Sequence, residues 1–405
     1  MMALQLDVSL TSAAFRRRVL PWWSVYRSVD GRMPDLILDY TNDAYGLGGQ
    51  KIAQPIAQAR LGPSVVDGRA AGLLVEPQRS NLVARSVARP TWGPVGPVTL
   101  TALDEARAGV FPGLLITSGG ASWHRAAPGN MTFEAGQSYA MTLWYGQPSA
   151  AMMKATLYST ATTPPSNLEL QGAAGQLAAV VQNGGQITDI RNDQITDGLY
   201  RMRCRFSLSQ TVTTTWGFGS GTATAGESVT IYGLQIEEGA DATGYIRSDG
   251  VAVSRGADRY TLAATGWGGL EGGTLALRAT PMGAGAAVFA SVTDLSGEKI
   301  TALCRADGEI VLRYGALGSV EEMPTGMNAL RDQAVAIALS WSGTALRLTL
   351  GGSPVQTAAP IAFGALSELR LYDDDIIAAP APVQIGRLLH YPMPVSDAAL
   401  QALSS

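Results

Sequence analysis

The run Arg201-Met-Arg-Cys-Arg-Phe-Ser-Leu208 puts Met202, Cys204, Phe206 and Leu208 on one side of an extended chain and Arg201, Arg203, Arg205 and Ser207 on the other. A period of two is the geometry of a β-strand with one buried and one wet face; a helix would scatter the same apolar residues around its circumference. Comparable runs recur at 139–145, 152–158 and 228–236, then at 274–278, 309–314, 333–341 and 345–350. They are separated by stretches rich in Gly, Pro and Ser, and 47 glycines and 21 prolines are enough to punctuate many short strands. The expectation is an all-β chain.

A length of 405 residues exceeds one ordinary core and points to three regions. Residues 1–84 carry a Trp22-Trp23 pair, a short apolar strand at Leu36-Ile37-Leu38 and otherwise irregular, loop-rich sequence, which reads as a docking segment. Adjacent tryptophans in such a segment need cover from a partner or a neighbouring domain. Residues 85–262 read as one β-sandwich and 263–405 as a second. Asp307-Gly308 and Ser342-Gly343 fall between strand pairs and can supply the positive φ angles of tight hairpins. At the C-terminal end, Ser396 is placed to cap a short helix anchored by Leu400 and Leu403.

Several function classes are disfavoured by the same sequence. A net charge of −4 supplies no global basic field for nucleic acid, and Arg16-Arg17-Arg18 is the one tight basic run. It reads as a solvated or interface segment. Cys204 and Cys304 fall in different regions, and Cys204 reads as a small core residue. His124 and His390 are far apart, so no zinc spacing, triad or Cys/His dyad is assembled by proximity. Gly217-Phe-Gly-Ser-Gly221 lacks the Lys-Ser/Thr of a phosphate loop. No stretch reaches the ~18 apolar residues of a membrane span, and the first residues lack a signal-peptide pattern. The chain is expected to be made in the cytoplasm, without membrane insertion and without a cofactor.

Three motifs carry a family resemblance. Arg69-Ala-Ala-Gly-Leu-Leu-Val-Glu-Pro-Gln-Arg-Ser-Asn-Leu82 offers a short alternating strand through Leu73 and Val75 that Pro77 stops, with Glu76, Arg79 and Asn81 available to satisfy loop backbone. Gly233-Leu-Gln-Ile-Glu-Glu-Gly-Ala-Asp-Ala-Thr-Gly-Tyr-Ile-Arg-Ser-Asp-Gly250 continues to Val253-Ser-Arg-Gly-Ala-Asp258. Ile385-Gly-Arg-Leu-Leu-His-Tyr-Pro-Met-Pro-Val-Ser-Asp-Ala-Ala-Leu-Gln-Ala-Leu403 closes the chain's last strand and tail. The first resembles the signature that precedes a jelly-roll domain in tail fibres and related appendages of tailed phages. The second is similar to the end of that jelly roll, with Gly244 where the family usually has Ser, and the third is similar to the tail of laminin-G or concanavalin-like sandwiches. The resemblance brackets residues 69–405 and implies two jelly-roll-type sandwiches after the docking segment. It further implies a fibre or head spike on a virion or phage-like particle, often a homotrimer, joined to other virion proteins through its first residues and binding host surface polysaccharide.

In that context the glycan-binding candidates are Trp92, Trp123, His124, Trp144, Tyr145, Trp216 and Tyr232, because aromatic faces stack on sugar rings. Core or subunit packing is the competing reading for each. Trp144 and Tyr145 are consecutive in one strand and must face opposite ways; Trp123-His124, after Gly119-Gly120, is the pair expected to be exposed. The docking candidates are Arg16, Arg17, Arg18, Trp22 and Trp23. Asp373, Asp374 and Asp375 form a weak Ca²⁺ candidate with a solvated loop as the alternative. Glu237-Glu238 is the other dense acid pair, and adjacent residues seldom place two carboxylates across a glycosidic bond. The sequence therefore reads as a non-catalytic adhesion protein, with a purely structural decoration or adaptor protein, and next a polysaccharide depolymerase, as alternatives.

Overall fold

The computed structural model describes residues 30, 36–39, 45–46, 60–63, 70–107, 111–146, 149–163, 165–258, 260–264, 272–315, 320–343, 345–358, 362–371, 377 and 380–405. The docking candidates Arg16, Arg17, Arg18, Trp22 and Trp23 and the calcium candidates Asp373, Asp374 and Asp375 lie outside these residues. The all-β expectation holds, with strands paired antiparallel throughout and one short helix, Asp397–Leu403, among the described residues. The chain forms two compact units, Gln78–Gly256 and a second made of Met1–Pro77 with Ala257–Ser405. The first motif thus straddles a unit boundary, which falls between Pro77 and Gln78, and the other boundary falls at 256/257; the sequence had suggested 84/85 and 262/263.

In the Gln78–Gly256 unit an eight-stranded sheet runs in the order Gly185–Thr196, Leu199–Leu208, Ser138–Gly146, Ser228–Glu238, Arg79–Asn81, Val253–Arg255, with Val98–Arg107 and Phe111–Ser118 attached to the side of Ser228–Glu238. A six-stranded sheet has the order Ala178–Asn183, Ser166–Gly172, Met153–Ser159, Trp216–Ser220, Arg125–Ala127, Gly93–Val95. The core between them takes Met202, Cys204, Phe206 and Leu208 from one sheet and Met153, Ala155, Leu157, Leu168 and Leu170 from the other. Alternation thus decides which side of each strand is dry. Phe206 meets the rings of Phe133, Tyr139 and Trp216 at centroid separations of 5.3, 5.4 and 5.4 Å, aromatic contacts that fix the core's shape. Cys204 is buried, and desolvation pushes its thiol well up, consistent with a packing role.

In the other unit, Gly272–Pro281, Val335–Ser342, Ala345–Leu350 and Val383–Tyr391 form the centre of a nine-stranded sheet. Strands from before the first motif's end complete it: Leu36–Asp39 and Ala70–Val75 both pair with Val383–Tyr391. Leu73 and Val75 are buried in this unit's core. The described strands of the docking segment up to Val75 are therefore stitched into the C-terminal sandwich, whereas its last strand, Arg79–Asn81, belongs to the Gln78–Gly256 unit. Its six-stranded partner sheet runs from Tyr260–Ala263 to Glu321–Asn328. Gly308 has φ +93° in its hairpin, as expected, whereas Gly343 joins its strand pair without a positive φ. Ser396 caps the helix by accepting the Ala399 amide at 3.3 Å, and Leu400 is buried against Tyr391 and Val395. His390 is enclosed between Trp341 and Gly273, where burial pushes its imidazolium down to about 3.

Candidate functional site

The first two motifs come together as a buried polar clasp on the outer face of the eight-stranded sheet. Arg79–Asn81 pairs with both Ser228–Glu238 and Val253–Arg255. The Asn81 side chain donates to the Ile246 carbonyl at 2.8 Å, and its Oδ1 accepts from the amides of Val83 at 3.1 Å and Ile236 at 3.2 Å. Gln235 Oε1 accepts from the Ile246 amide at 2.6 Å, while its Nε2 donates to the carbonyls of Thr243 and Gly244. Glu237 accepts from the amide of Thr243 at 2.8 Å and from its hydroxyl. Asn81, Gln235 and Glu237 have no measurable exposure, so each is costly unless fully paired, and here each is spent holding residues 243–246 against the sheet. Arg255 also donates to the Gly244 carbonyl, at 3.1 Å. Position 244 contributes through its carbonyl oxygen, which any residue supplies, so Gly in place of Ser leaves the clasp intact.

The structure corrects most of the aromatic expectations. Trp92, Tyr145 and Trp216 are fully buried in the core: Trp92 donates its ring N–H to the Arg85 carbonyl at 2.9 Å, and the Tyr145 hydroxyl accepts the Gly175 amide at 2.8 Å. Burial pushes the Tyr145 phenol up to about 12. Trp144 does face away from Tyr145, as the strand period demands, but it is half-buried in an outer cluster with Val87, Leu199, Tyr232 and Tyr245. Tyr245, from the clasped segment, meets it edge-on at 5.1 Å and shares a 2.6 Å hydrogen bond with Ser86. Trp144 and Tyr232 are thus packed with Tyr245 of the second motif in this outer cluster. The arginines of the same sheet face are committed too: Arg201 and Arg203 converge on Asp193 at 3.0 and 2.9 Å. Burial acts to raise the Asp193 carboxyl, but Arg203 and Arg201 outweigh it and hold the group below its usual range.

Trp123 is the one nominated aromatic that is open, with half of its surface exposed. Its ring lies against Gly96, where an added Cβ would meet ring carbon ζ3 at 2.4 Å, and the buried His124 stands edge-on to it at 4.5 Å. His124 Nδ1 accepts the Ala121 amide at 3.3 Å, so its place is structural. One ring face of Trp123 is therefore buttressed on a chain held in position.

Two residues after Trp123 begins the strand Arg125–Ala127, and with it the outer face of the six-stranded sheet. Register and alternation put Arg125, Lys154, Thr156, Tyr158, Asn167, Glu169 and Gln171 on this face, because their neighbours Ala126, Ala155, Leu157, Leu168 and Leu170 fill the core. Thr156 stands directly between Gly217 and Glu169 on the adjoining strands. The Arg125 side chain runs flat across Gly217, where a Cβ would lie 2.8 Å from its Cδ and 3.1 Å from its Nε. Lys154 and Glu169 are paired at 2.9 Å. Thr156 Oγ1, Asn167 Oδ1 and Arg125 Nε are buried and make no hydrogen bond with the described residues. Tyr158 is exposed beside them. The sequence reading missed this set. Its signal was the polar half of two alternating runs, Lys154-Thr156-Tyr158 and Asn167-Glu169-Gln171, which the search for aromatics passed over.

No protein-family model matches the chain, and no curated protein does. Among solved structures it is similar to the CBM40 domain of the Ruminococcus gnavus IT-sialidase bound to α2,6-sialyllactose, at 16% identity and TM-score 0.28, over 34% of this chain and 85% of that one. It is similar to a heptameric SAP-like pentraxin from Limulus polyphemus at 14% identity and TM-score 0.29, over 36% of this chain and 74% of the pentraxin. A botulinum neurotoxin serotype D ligand-binding domain in complex with N-acetylneuraminic acid is similar at 10% identity and TM-score 0.30, over 36% of this chain and 39% of that one. Likenesses at these scores carry no weight in the reading of the site.

Proposed function

We propose that this chain is a non-catalytic saccharide-binding protein whose binding surface is the outer face of the six-stranded sheet in the Gln78–Gly256 unit. The observation that carries the reading is the polar outer face of this sheet, where Arg125, Lys154, Asn167 and Gln171 stand in fixed register with the exposed ring of Tyr158. Sugar recognition needs that combination of fixed hydrogen-bonding groups and flat apolar surface. The acid pair weighed for hydrolysis is unsuited to it, since Glu237 is enclosed in the clasp. The resemblance carried by residues 69–82, 233–258 and 385–403 supports a place on the surface of a tailed-phage or phage-derived particle, as a fibre or spike with a trimeric habit, adhering to host polysaccharide.

The test is binding of the labelled protein to bacterial cells with and without their surface polysaccharide, repeated with a Tyr158→Ala, Asn167→Ala double variant. Polysaccharide-dependent binding that the variant loses, without shortening of the polymer, supports the reading. Equal or absent binding to both cell types overturns it in favour of a structural adaptor. Release of reducing ends would make the protein a depolymerase.

A further inference from the structure

Among the described residues this face carries two cations, Arg125 and Lys154, and one carboxylate, Glu169. The carboxylate is taken up by Lys154 at 2.9 Å. Arg125 has no carboxylate within ion-pair distance among the described residues, and its Nε is buried without a hydrogen bond. A half-buried guanidinium in that position is expensive, because desolvation is not repaid by a partner. Burial is the leading influence on it and acts to lower its pKa, with Glu169 opposing from a distance. The residue is also held in place: Gly217 lacks the side chain that would push it away, and Thr156 and Glu169 follow in line across the next two strands. The chain has set an unneutralised planar donor on a polar sheet face.

Resting on the saccharide reading, we propose that this face takes an acidic saccharide, with the carboxylate or sulfate group of the sugar on the Arg125 guanidinium. A guanidinium presents parallel N–H donors that match a carboxylate or sulfate edge, and a charge-assisted pair of this kind gains strength where water is thinned. A neutral sugar would leave the arginine's charge as it stands.

The experiment uses the full chain on an array of sialylated, uronate-containing and sulfated oligosaccharides printed beside their neutral parents. The expected result is retention on acidic members with neutral parents bound at least about tenfold more weakly, the scale of one charge-assisted hydrogen bond. Arg125→Gln is expected to abolish that preference. Gly217→Ala, which displaces the arginine without removing its charge, should do the same, while Arg89→Gln, an equal charge loss at an exposed site, should not. Thermal unfolding of each variant reports whether it has folded, and the array preference of the unaltered protein stands independently of them. If neutral parents bind as well as acidic members and Arg125→Gln binds like the unaltered protein, the acidic ligand is overturned and saccharide binding stands. Retention of no saccharide overturns the saccharide reading, and this inference with it.

Discussion

Two threonines on the same sandwich have nearly the same immediate description and opposite settings. Thr142 and Thr156 are both buried, both on the outer face of a sheet, and both have a hydroxyl without a hydrogen bond to the described residues. Thr142 lies between Arg203 and Gln235, on the sheet whose outer side is occupied by the clasped 243–246 segment and its fully buried Asn81, Gln235 and Glu237. Thr156 lies between Gly217 and Glu169, beside the exposed Tyr158 and the unneutralised Arg125. On the first face the chain covers the sheet with its own residues 243–246, although Thr142 stays unpaired there; on the second Tyr158 remains exposed beside Thr156. An unpaired hydroxyl is therefore informative only together with what surrounds it.

The largest effect should come from opening the closed face. Asn81→Ala strands the amides of Val83 and Ile236 and the carbonyl of Ile246, and should cost about 3 kcal/mol or more in urea unfolding. A loss below about 1 kcal/mol would show that the clasp contributes little. Gln235→Leu should cost about 2 kcal/mol by the same measurement, through the Ile246 amide and the carbonyls of residues 243 and 244. The two threonines should then behave alike in stability. Replacing either by Val removes a hydroxyl that the chain does not use, so stability should move by no more than about 0.5 kcal/mol. Saccharide affinity should fall about fivefold for Tyr158→Ala, beside Thr156, and stay constant for Thr142→Val, read by calorimetry or array titration. Equal effects of the two would erase the contrast. The smallest effect concerns Asp193. Its carboxyl is depressed in the folded state by Arg203 and Arg201, so its contribution is present above the ordinary carboxylate range and lost as pH falls through the folded value. Asp193→Asn should cost about 0.5 kcal/mol at pH 7 and flatten that acid limb of a pH-stability curve.

Much of the architecture was legible because alternation is local. Leu199–Leu208 shows its dry and wet sides at consecutive positions, Trp144 and Tyr145 diverge as their strand requires, and Ser396 with Leu400 marks a cap and an anchor within one turn. The aromatic candidates failed for the complementary reason. Whether Trp144 is free depends on Tyr245, a hundred residues on, and whether Trp216 is free depends on Phe206 across the core. The motifs were visible as strings, and Asn81 was read as satisfying loop backbone at a domain entrance; what no string showed is that its partners lie at residues 235–246.

By itself the sequence determined the strand period, the turn positions and hence an all-β chain of sandwiches, since each depends on residues within a few positions of one another. Only the tertiary structure decided which outer face is closed and which is open, and that the strands before residue 77 complete the C-terminal sandwich. Those outcomes rest on strand pairings between distant segments: Arg125, Thr156 and Glu169 become neighbours through hydrogen bonds whose register no local pattern encodes.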